Sequence, residues 1–405
     1  MLKNVIIIND FDYVQGGASK VALQTANLLK ENYPELNVYF FSGCHNDSSI
    51  LNKEVISICT NQGEALKDKN KLRGIINGLY NFKAKKELKN LLKSLDNNET
   101  IIHVHGWTKS LSSSVFDIAF KMKFKVILTM HDYFTACPNG GYFNYKKNQI
   151  CHLEPMSVKC RRCNCDSRNY GFKLYRVLRQ FIQNNIVKLN DKLEYAISIS
   201  EFSEKILKET LNKNTKIFRI YNPIDFDENA EEVDYRENKY YLYVGRVSKE
   251  KGVDLFCEAL TDLNLPGIVV GDGEQKETLE KKYSNIEFVG WKNQNEIGKY
   301  MKNSKALIMP SRWYEGAPLT NIEALSYGLP SLVSNTCAAS DVSNAKNKTG
   351  MTFKVDLEDL KRTIDSFDYH IISNEIKKSV LNQFNTEIYI KKLTNNYLKV
   401  MKNVK

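Results

Sequence analysis

Short apolar runs recur along the chain, and the longer stretches between them carry apolar residues at helical spacing. The runs lie at 5–8, 38–41, 55–58, 101–105, 125–130, 195–199 and 216–221 in the first half, and at 240–244, 267–270, 286–289, 306–309 and 350–353 in the second. Such runs are typical of parallel strands that helices cover on both faces. The pattern predicts an α/β protein of two Rossmann-like, doubly wound domains, with ligands at the carboxyl ends of the strands.

The order of these runs also predicts where the domains divide. A chain of 405 residues is long enough to bury two cores. We place the first domain at 1–215, with a cysteine-rich insertion at 137–168, and the second at 216–384. Residues 226–238 are acidic and lack apolar periodicity, which is typical of a linker. Residues 385–405 are predicted to form a final helix that returns to the first domain.

Positive charge is concentrated in the first domain. The net charge is +11, and by our count residues 1–215 hold 31 Lys and Arg against 20 Asp and Glu, so they carry all of it. Two stretches in that half, 71–95 and 172–188, are predicted as amphipathic helices rich in Lys and Arg. Each is either a docked helix with a solvated basic face or an interfacial helix held to anionic lipid. The chain lacks the aromatic and basic pattern of a nucleic-acid module, so no nucleic acid is expected.

The segment at 309–335, MPSRWYEGAPLTNIEALSYGLPSLVSN, has the features of a strand, a loop and a helix that bind a ligand. Pro318 suits the first turn of the helix. Glu315 precedes the helix and Glu323 lies within it, about 12 Å away at a rise of ~1.5 Å per residue. The N–H groups that begin the helix, around 319–321, favour an anion. A carboxylate, a helix end and a second carboxylate would match sugar hydroxyls, phosphate and ribose hydroxyls in turn.

This segment resembles the donor-binding signature of the retaining GT-B glycosyltransferases of family 4, the glycosyl transferases group 1, which have a glutamate at each end of a seven-residue gap. The resemblance implies the GT-B fold, in which two Rossmann-like domains face each other across a cleft. It further implies that Glu315 holds hydroxyls of the transferred sugar and that Glu323 binds the ribose. The other donor-site positions that it implies in this segment are Gly316, Leu319, Thr320 and Asn321.

A basic turn after the first strand of the second domain offers further contacts to the donor. In Gly245–Gly252, Arg246 and Lys251 stand five residues apart, and a guanidinium fork and an ammonium point charge together suit a diphosphate. A solvated basic loop is the alternative. In the resembled family these residues neutralise the departing nucleoside diphosphate, which would explain catalysis without a cofactor or metal ion.

Three features of the first domain fall at the predicted ligand edge of its sheet. Gly16 and Gly17 follow the first strand and let a ligand approach the backbone. His105 and His131 end two later strands. The resemblance implies that Gly16 and Gly17 face the donor diphosphate, that His131 reaches the transferred sugar, and that His105 lies on the acceptor side. His103 is predicted to be structural.

Five of the nine cysteines cluster in the insertion at 137–168. Cys160 and Cys163 have the C-x-x-C spacing of a zinc knuckle, and Cys137 and Cys151 could complete a tetrahedral thiolate site for structural zinc. Free thiols, or Cys165 in place of one ligand, are the alternatives.

Taken together, these features and the resemblance predict a glycosyltransferase of the hexosyltransferase type, and the resemblance implies that it is a retaining one. It would transfer a sugar from a nucleoside diphosphate, expected to be UDP, to a hydroxyl of a polyprenyl-diphosphate-linked glycan during assembly of a capsule, O-antigen or exopolysaccharide. The alternatives are a sugar-phosphate synthase of the same fold with a small soluble acceptor and a non-catalytic nucleotide- or lipid-binding protein. No apolar run approaches the ~18 residues of a membrane span, and the N-terminus lacks a signal-peptide cleavage pattern. We therefore expect a cytoplasmic protein that associates peripherally with the membrane.

Overall fold

The computed structural model of the chain describes residues 1–224, 235–367 and 373–402. Its strands are β1 Asn4–Phe11, β2 Asn37–Cys44, β3 Ile56–Cys59, β4 Thr100–Val104, β5 Lys125–Met130, β6 Phe143–Asn144, β7 Gln149–Ile150, β8 Tyr195–Ser198, β9 Lys216–Arg219, β10 Tyr240–Val244, β11 Gly267–Val270, β12 Ile286–Gly290, β13 Ser304–Met309, β14 Ser331–Ser334 and β15 Gly350–Phe353. Two parallel sheets contain all of these strands except the short antiparallel pair β6 and β7.

Each sheet has the strand order of a doubly wound domain. The first sheet runs β3-β2-β1-β4-β5-β8-β9 and the second β12-β11-β10-β13-β14-β15. In each, the strand order reverses beside the first strand of the domain, so that the carboxyl ends of β1 and β4, and of β10 and β13, flank a crevice. The predicted fold class, two Rossmann-like α/β domains, is confirmed.

Helices cover both faces of each sheet, and all eight residues of β1 are buried as a result. The helices are α1 Gly17–Asn32, α2 Lys71–Leu79, α3 Phe82–Lys93, α4 Ser114–Lys121, α5 Val158–Arg162, α6 Tyr170–Phe181, α7 Leu189–Lys192, α8 Glu201–Leu207, α9 Val253–Asp262, α10 Lys276–Lys282, α11 Gln294–Lys302, α12 Leu319–Ser326, α13 Leu357–Ser366, α14 Ser373–Phe384 and α15 Thr386–Lys402. A π-helical turn, Ile182–Val187, continues α6.

The chain crosses between the domains at two places. Strand β9 pairs with β8 in the first sheet, so the division predicted at 215 falls one strand too early. At the other end, α15 packs Tyr389, Leu393 and Tyr397 into the core of the first domain beside β1. Most of the predicted linker at 226–238 lies outside the described residues.

The helix predicted at 71–95 is two helices, α2 and α3. The break falls at Asn81, whose side chain caps α3 by accepting the Ala84 N–H, while its own amide donates to Ser110. A buried asparagine with these partners stabilises a helix start more than continuation of the helix. The helix predicted at 172–188 ends earlier, at Phe181, and passes into the π-helical turn.

Candidate active site

A cleft of about 230 Å³ lies between the carboxyl edges of the two sheets. The first domain contributes the start of α1, the turn after β5 and Gly140. The second contributes the loop between β13 and α12. The residues that line the cleft include Gly17, Ala18, His131, Asp132, Tyr133, Asn222 and the run from Trp313 to Ala317. His131, Gly17, Glu315, Gly316 and Leu319, which the sequence placed in one site, thus meet around one space.

The loop from Ser311 to Ala317 is anchored on both sides. Within its own domain, Arg312 donates to the Asp254 carboxylate, with Nη2 and Oδ2 2.9 Å apart, and Ser334 donates to the Ser311 carbonyl. Toward the first domain, Ser200 donates to the Gly316 carbonyl. A Cβ on Gly316 would lie 3.2 Å from the His131 carbonyl oxygen. The two domains therefore contact each other through this loop.

Glu315 is held within the second domain. Its side chain is 7 % exposed, and its Oε2 lies 2.9 Å from Nζ of Lys251. Ser311 donates a hydrogen bond to Oε1. Burial alone would raise the pKa of this carboxyl, but the charge of Lys251 and the hydrogen bonds from Ser311 and Lys251 outweigh burial, so its pKa is lowered. Glu315 is a carboxylate fixed in place, able to accept hydroxyl hydrogen bonds.

Glu323 is held across the cleft. It lies in α12, is 9 % exposed, and its Oε1 is 3.4 Å from Nζ of Lys20 in α1. The ammonium of Lys20 belongs to the opposite domain, so this ion pair exists only while the domains face each other at this separation. A ligand that used Glu323 for hydroxyl groups would share it with Lys20 or displace Lys20.

Two helices begin at the cleft, one from each domain. A Cβ on Gly17, at the start of α1, would lie 3.6 Å from Leu319 at the start of α12. Neither helix has an acidic residue in its first turn. The Asn321 N–H donates to the Pro318 carbonyl, so the Leu319 and Thr320 N–H groups are the ones left for a ligand. Two uncompensated positive helix ends that face each other favour an anion between them.

Arg246 differs from the prediction in its partner. Its guanidinium pairs with Glu250, while its side chain remains 58 % exposed. Lys251, five residues on, pairs with Glu315 instead. The structure therefore places the two basic residues on separate carboxylates, and a diphosphate clamp from both would require Arg246 to leave Glu250. Gly16 is exposed and lies outside the cleft lining, whereas Gly17 lies within it.

Three histidines form a row on the first domain, in which His103 and His105 are buried and His131 is partly exposed at the cleft. Nδ1 of His105 lies 2.9 Å from Nε2 of His131, and these two rings stack. His103 lies behind them, with its ring nitrogens 2.6 Å from Tyr397 and Thr129 hydroxyls. Burial lowers the pKa of His131 and of His103 to about 3, and it lowers the pKa of His105 well below its usual value. All three rings are therefore neutral near pH 7, and His103 has the structural role predicted for it.

Residues 225–375 match the family model of the glycosyl transferases group 1. Over 99 % of both chains, the fold matches that of sucrose-phosphate synthase from Thermosynechococcus elongatus, with a TM-score of 0.70 at 16 % identity. The second domain is thus a group 1 glycosyltransferase domain, and the whole chain has the GT-B fold. The recognition made from residues 309–335 is confirmed.

Two bacterial relatives resemble this glycosyltransferase in sequence. A protein described as an uncharacterized 41.2 kDa protein in the cps region of Klebsiella pneumoniae is 26 % identical over 329 residues, which cover 75 % of this chain and 87 % of that protein. The UDP-Gal:alpha-D-GlcNAc-diphosphoundecaprenol alpha-1,3-galactosyltransferase of Escherichia coli is 28 % identical over 236 residues, or 50 % of this chain and 59 % of that enzyme.

Several residues of the glycosyltransferase cleft escaped the sequence analysis. Lys20, Ser311 and Trp313 all contact one of the two glutamates or line the cleft. Asp132, directly after His131, also lines it, and burial raises the pKa of its carboxyl to about 6. The available signal for Asp132 was its position directly after His131, at the end of the strand. For Lys20 the signal was its position one turn after Gly17.

In the structure the cysteine cluster of the glycosyltransferase is not arranged as the predicted zinc site, which stays a prediction. In the described part of the chain, no group of three or more His, Cys, Asp or Glu side chains is placed to hold a metal ion. Instead Sγ of Cys160 lies 3.6 Å from Nζ of the fully buried Lys173, and Asn139 donates to Cys165. A buried ammonium and an amide thus contact the thiols that a metal would otherwise draw together.

The glycosyltransferase also shows no membrane span in the part that the structure describes: none of the helices there is both long enough and apolar enough to cross a bilayer.

Proposed function

We propose that this glycosyltransferase transfers a sugar, with retention, from a UDP-sugar to a hydroxyl group of a polyprenyl-diphosphate-linked glycan in the assembly of a surface polysaccharide. One observation carries the proposal: two helix starts, from opposite domains, meet across the cleft beside the Lys251–Glu315 pair. This arrangement supplies positive potential where a diphosphate departs and a fixed carboxylate where a sugar would lie.

The donor would lie along the second-domain wall. Glu323 would accept hydrogen bonds from the ribose hydroxyls, and Glu315 from hydroxyls of the transferred sugar. The N–H groups of Leu319 and Thr320 and the ammonium of Lys251 would stabilise the diphosphate as negative charge develops on it. Arg246, exposed at the rim, would add its guanidinium on leaving Glu250. These interactions strengthen as the bond to the sugar breaks, which is the condition for catalysis.

The acceptor would approach from the first-domain wall. His131 is neutral because of its burial, so it would contact the sugar ring as a hydrogen-bonding group rather than as an acid. Asp132 stands beside it at the cleft. In the front-face mechanism proposed for retention, the departing phosphate takes the proton of the attacking hydroxyl. No side chain then has to form a covalent bond to the sugar.

The choice of donor and acceptor classes draws on the Escherichia coli relative, whose name gives a UDP-sugar donor and a diphosphoundecaprenol acceptor, and on the Klebsiella relative of the cps region. A lipid-linked acceptor places the reaction at the cytoplasmic face of a membrane. The basic first domain suits such an anionic surface.

A binding screen followed by an acceptor test examines the proposal. Thermal unfolding would be recorded with UDP, GDP and ADP, since a ligand at a hundredfold excess over its dissociation constant stabilises the native state by ~2.7 kcal/mol. We expect UDP to raise the melting temperature, and Arg246→Ala to reduce the shift. Arg362→Ala is the matched control, because Arg362 is also exposed (73 %) and paired with a carboxylate three residues away.

Transfer would then be measured with a polyprenyl-diphosphate disaccharide and with a soluble sugar phosphate. Product from the lipid-linked acceptor supports the proposal. Product from the sugar phosphate alone would replace it with the synthase alternative, and no response to any nucleotide would refute a nucleotide-sugar enzyme.

A further inference from the structure

Two neighbouring helices of the first domain expose apolar side chains to solvent. On α2 these are Leu72, Ile75 and Ile76, with exposures of 68 %, 44 % and 44 %. On α6 they are Leu174, Leu178 and Phe181, with exposures of 48 %, 48 % and 49 %. Their spacings, i, i+3, i+4 and i, i+4, i+7, place each set along one stripe of its helix. We call these six residues the outer face.

Helix α6 is oriented opposite to an ordinary surface helix. It buries Lys173, Arg179 and Gln180 while its leucines face out. Arg179 donates to the carbonyls of Thr108 and Pro138, and Gln180 donates to that of Thr135. Rotating the helix to bury its leucines would break these hydrogen bonds. The buried carbonyl groups would then lack a donor, which is costly. The exposure of the apolar stripe is therefore fixed by the fold.

Helix α2 turns its glycines inward. A Cβ on Gly78 would collide with the hydroxyl of Tyr175 in α6, and a Cβ on Gly74 would collide with the carbonyl oxygen of Ala65. The glycine side of α2 thus packs closely on α6 and on the turn before it, and the Leu and Ile side is left outside. Because the two helices are in contact, we treat their apolar stripes as one surface.

The segments that carry this surface are rich in positive charge. Residues 71–93 hold seven Lys and Arg against one Glu, and residues 158–188 hold eight against one Asp. Lys71, Lys86, Arg161 and Arg162 are exposed, and within the described chain no carboxylate lies in ion-pair distance of them. Exposed leucines, isoleucines and a phenylalanine inside a basic rim are the features of a surface that binds anionic lipid.

We propose that the outer face docks on an anionic lipid bilayer, with its apolar side chains at the level of the acyl chains and the surrounding Lys and Arg among the phosphates. Its purpose rests on the proposed function, since a lipid-linked acceptor lies in that bilayer. A second copy of the chain is the less suitable occupant, because two such faces would bring two basic rims together.

The docked orientation brings the acceptor side of the cleft to the bilayer. From α6, Arg179 donates a hydrogen bond to the Pro138 carbonyl and Arg176 donates one to the Asn139 carbonyl. The next residue, Gly140, lines the cleft. On the other side, the turn under α2 leads to a second cavity, lined in part by Tyr13, His45, Glu64 and Lys67. Both cavities therefore lie one helix away from the docked surface.

Vesicle sedimentation of the full chain tests the proposal. Vesicles of phosphatidylcholine alone would be compared with equimolar phosphatidylcholine and phosphatidylglycerol. We expect binding to the anionic vesicles, weakened by salt, and little binding to the neutral ones. The double variant Leu174→Gln with Leu178→Gln should reduce the partition coefficient at least about tenfold, since each leucine loses an apolar contact of the interfacial kind. Lys86→Gln with Arg161→Gln should reduce it about tenfold or more on anionic vesicles only.

Ile50→Gln and Leu398→Gln are the matched controls, because these side chains are 52 % and 46 % exposed but lie away from the outer face. Their partition should equal that of the wild type. Equal binding by the leucine double variant, or no binding by the wild type, would overturn the proposal. So would a dimer, seen by sedimentation velocity, that the same double variant dissolves without any vesicle binding.

The melting-temperature shift with UDP separates this test from that of the proposed function. The leucine double variant should keep the wild-type shift, since its changes are on the solvent side of α6. If UDP fails to bind the wild type, the proposed function is refuted. Vesicle binding would still test the docking of the outer face independently.

Discussion

The two walls of the cleft differ in the charge of their side chains: a carboxylate is ionised on one wall, and imidazole rings are neutral on the other. On the second-domain wall, Glu315 is kept ionised in spite of burial because Lys251 and Ser311 contact it. On the first-domain wall, burial keeps His105 and His131 neutral, with Nδ1 of His105 2.9 Å from Nε2 of His131. A group departing with negative charge is stabilised by the first kind of wall, and a neutral sugar ring is compatible with the second. This difference agrees with the proposed function, in which the diphosphate and the acceptor lie on different walls.

The largest expected effect comes from removing the charge of the second wall. Glu315→Ala should reduce turnover by about a thousandfold, the scale seen when a preorganised polar group at a reacting centre is removed. Glu315→Gln should recover part of the loss by accepting hydrogen bonds without the charge. Steady-state kinetics with the UDP-sugar would measure both, and circular dichroism would show that the fold survives with Lys251 unpaired.

Glu358→Ala is the control for that change, since this carboxylate lies in the same domain, 71 % exposed, and pairs with Lys361. Its turnover should stay within about twofold of wild type, because exposed ion pairs contribute little. Undiminished turnover in Glu315→Ala would show that the Glu315 carboxylate on the second-domain wall takes no part in the transfer.

Glu323 gives the next effect, on affinity rather than turnover. If it binds ribose hydroxyls, Glu323→Ala should weaken UDP binding about 10- to 100-fold, the usual contribution of a hydrogen bond to a charged group. Isothermal titration with UDP and with uracil alone would separate the ribose contact from base binding. An equal loss for both ligands would argue for a general disturbance of α12 instead.

The sequence predicted the parts of this site whose residues interact with near neighbours in the chain, but not those whose partners are distant in sequence. The strand, loop and helix around Glu315 follow from local rules, because Pro318 and the apolar run before it act within a few residues, and Gly328, at φ 78°, follows the end of the helix. His131, at the end of its strand, lines the cleft as predicted from the same local rules, whereas His105 is buried and is not part of the cleft lining. Lys20 and Glu323, 303 residues apart, become partners only when two domains meet, and no local pattern encodes that.

The orientation of a helix was harder to predict than its existence. The periodicity at 172–188 correctly predicted an amphipathic helix, yet α6 buries Lys173 and Arg179 and exposes Leu174 and Leu178. Periodicity shows that two faces differ but not which face meets protein, since backbone carbonyls at Thr108 and Pro138 make the polar face the better buried one. The cysteine spacing likewise allows a tetrahedral site but does not show which groups meet: in the structure Lys173 contacts Cys160 and Asn139 contacts Cys165.

The neutral wall makes the fold sensitive to acid. The native state resists protonation of His131, whose pKa is lowered to about 3, whereas the unfolded chain takes up a proton near the usual value of ~6.5. Between those values the unfolded state binds more protons, so stability falls as pH falls through that window. At pH 5 the loss from His131 alone is about 2 kcal/mol. Above about pH 6.5 this contribution no longer changes.

Urea unfolding at about pH 7.5 and pH 5 would measure that loss, and His131→Gln should remove part of it because the amide does not titrate. The exposed His152 supplies the control: His152→Gln should leave the pH dependence as in the wild type. If the free energy of unfolding has the same pH dependence in His131→Gln and in the wild type, His131 does not resist protonation in the native state.

The smallest expected effect concerns the contact between the two walls. Lys20 and Glu323 are 3.4 Å apart and partly exposed, and pairs of this kind contribute about 0–1 kcal/mol. Removing Lys20 frees Glu323 for the ribose but also removes a tie between the domains. If displacement of Lys20 accompanies UDP binding, Lys20→Ala should bind UDP equally or up to about fivefold more tightly, and the double variant with Glu323→Ala should bind like Glu323→Ala alone. Weaker binding in Lys20→Ala would instead make Lys20 a ligand of the diphosphate, and the positive charge at the helix start of α1 would then belong to the same anion site as Lys251.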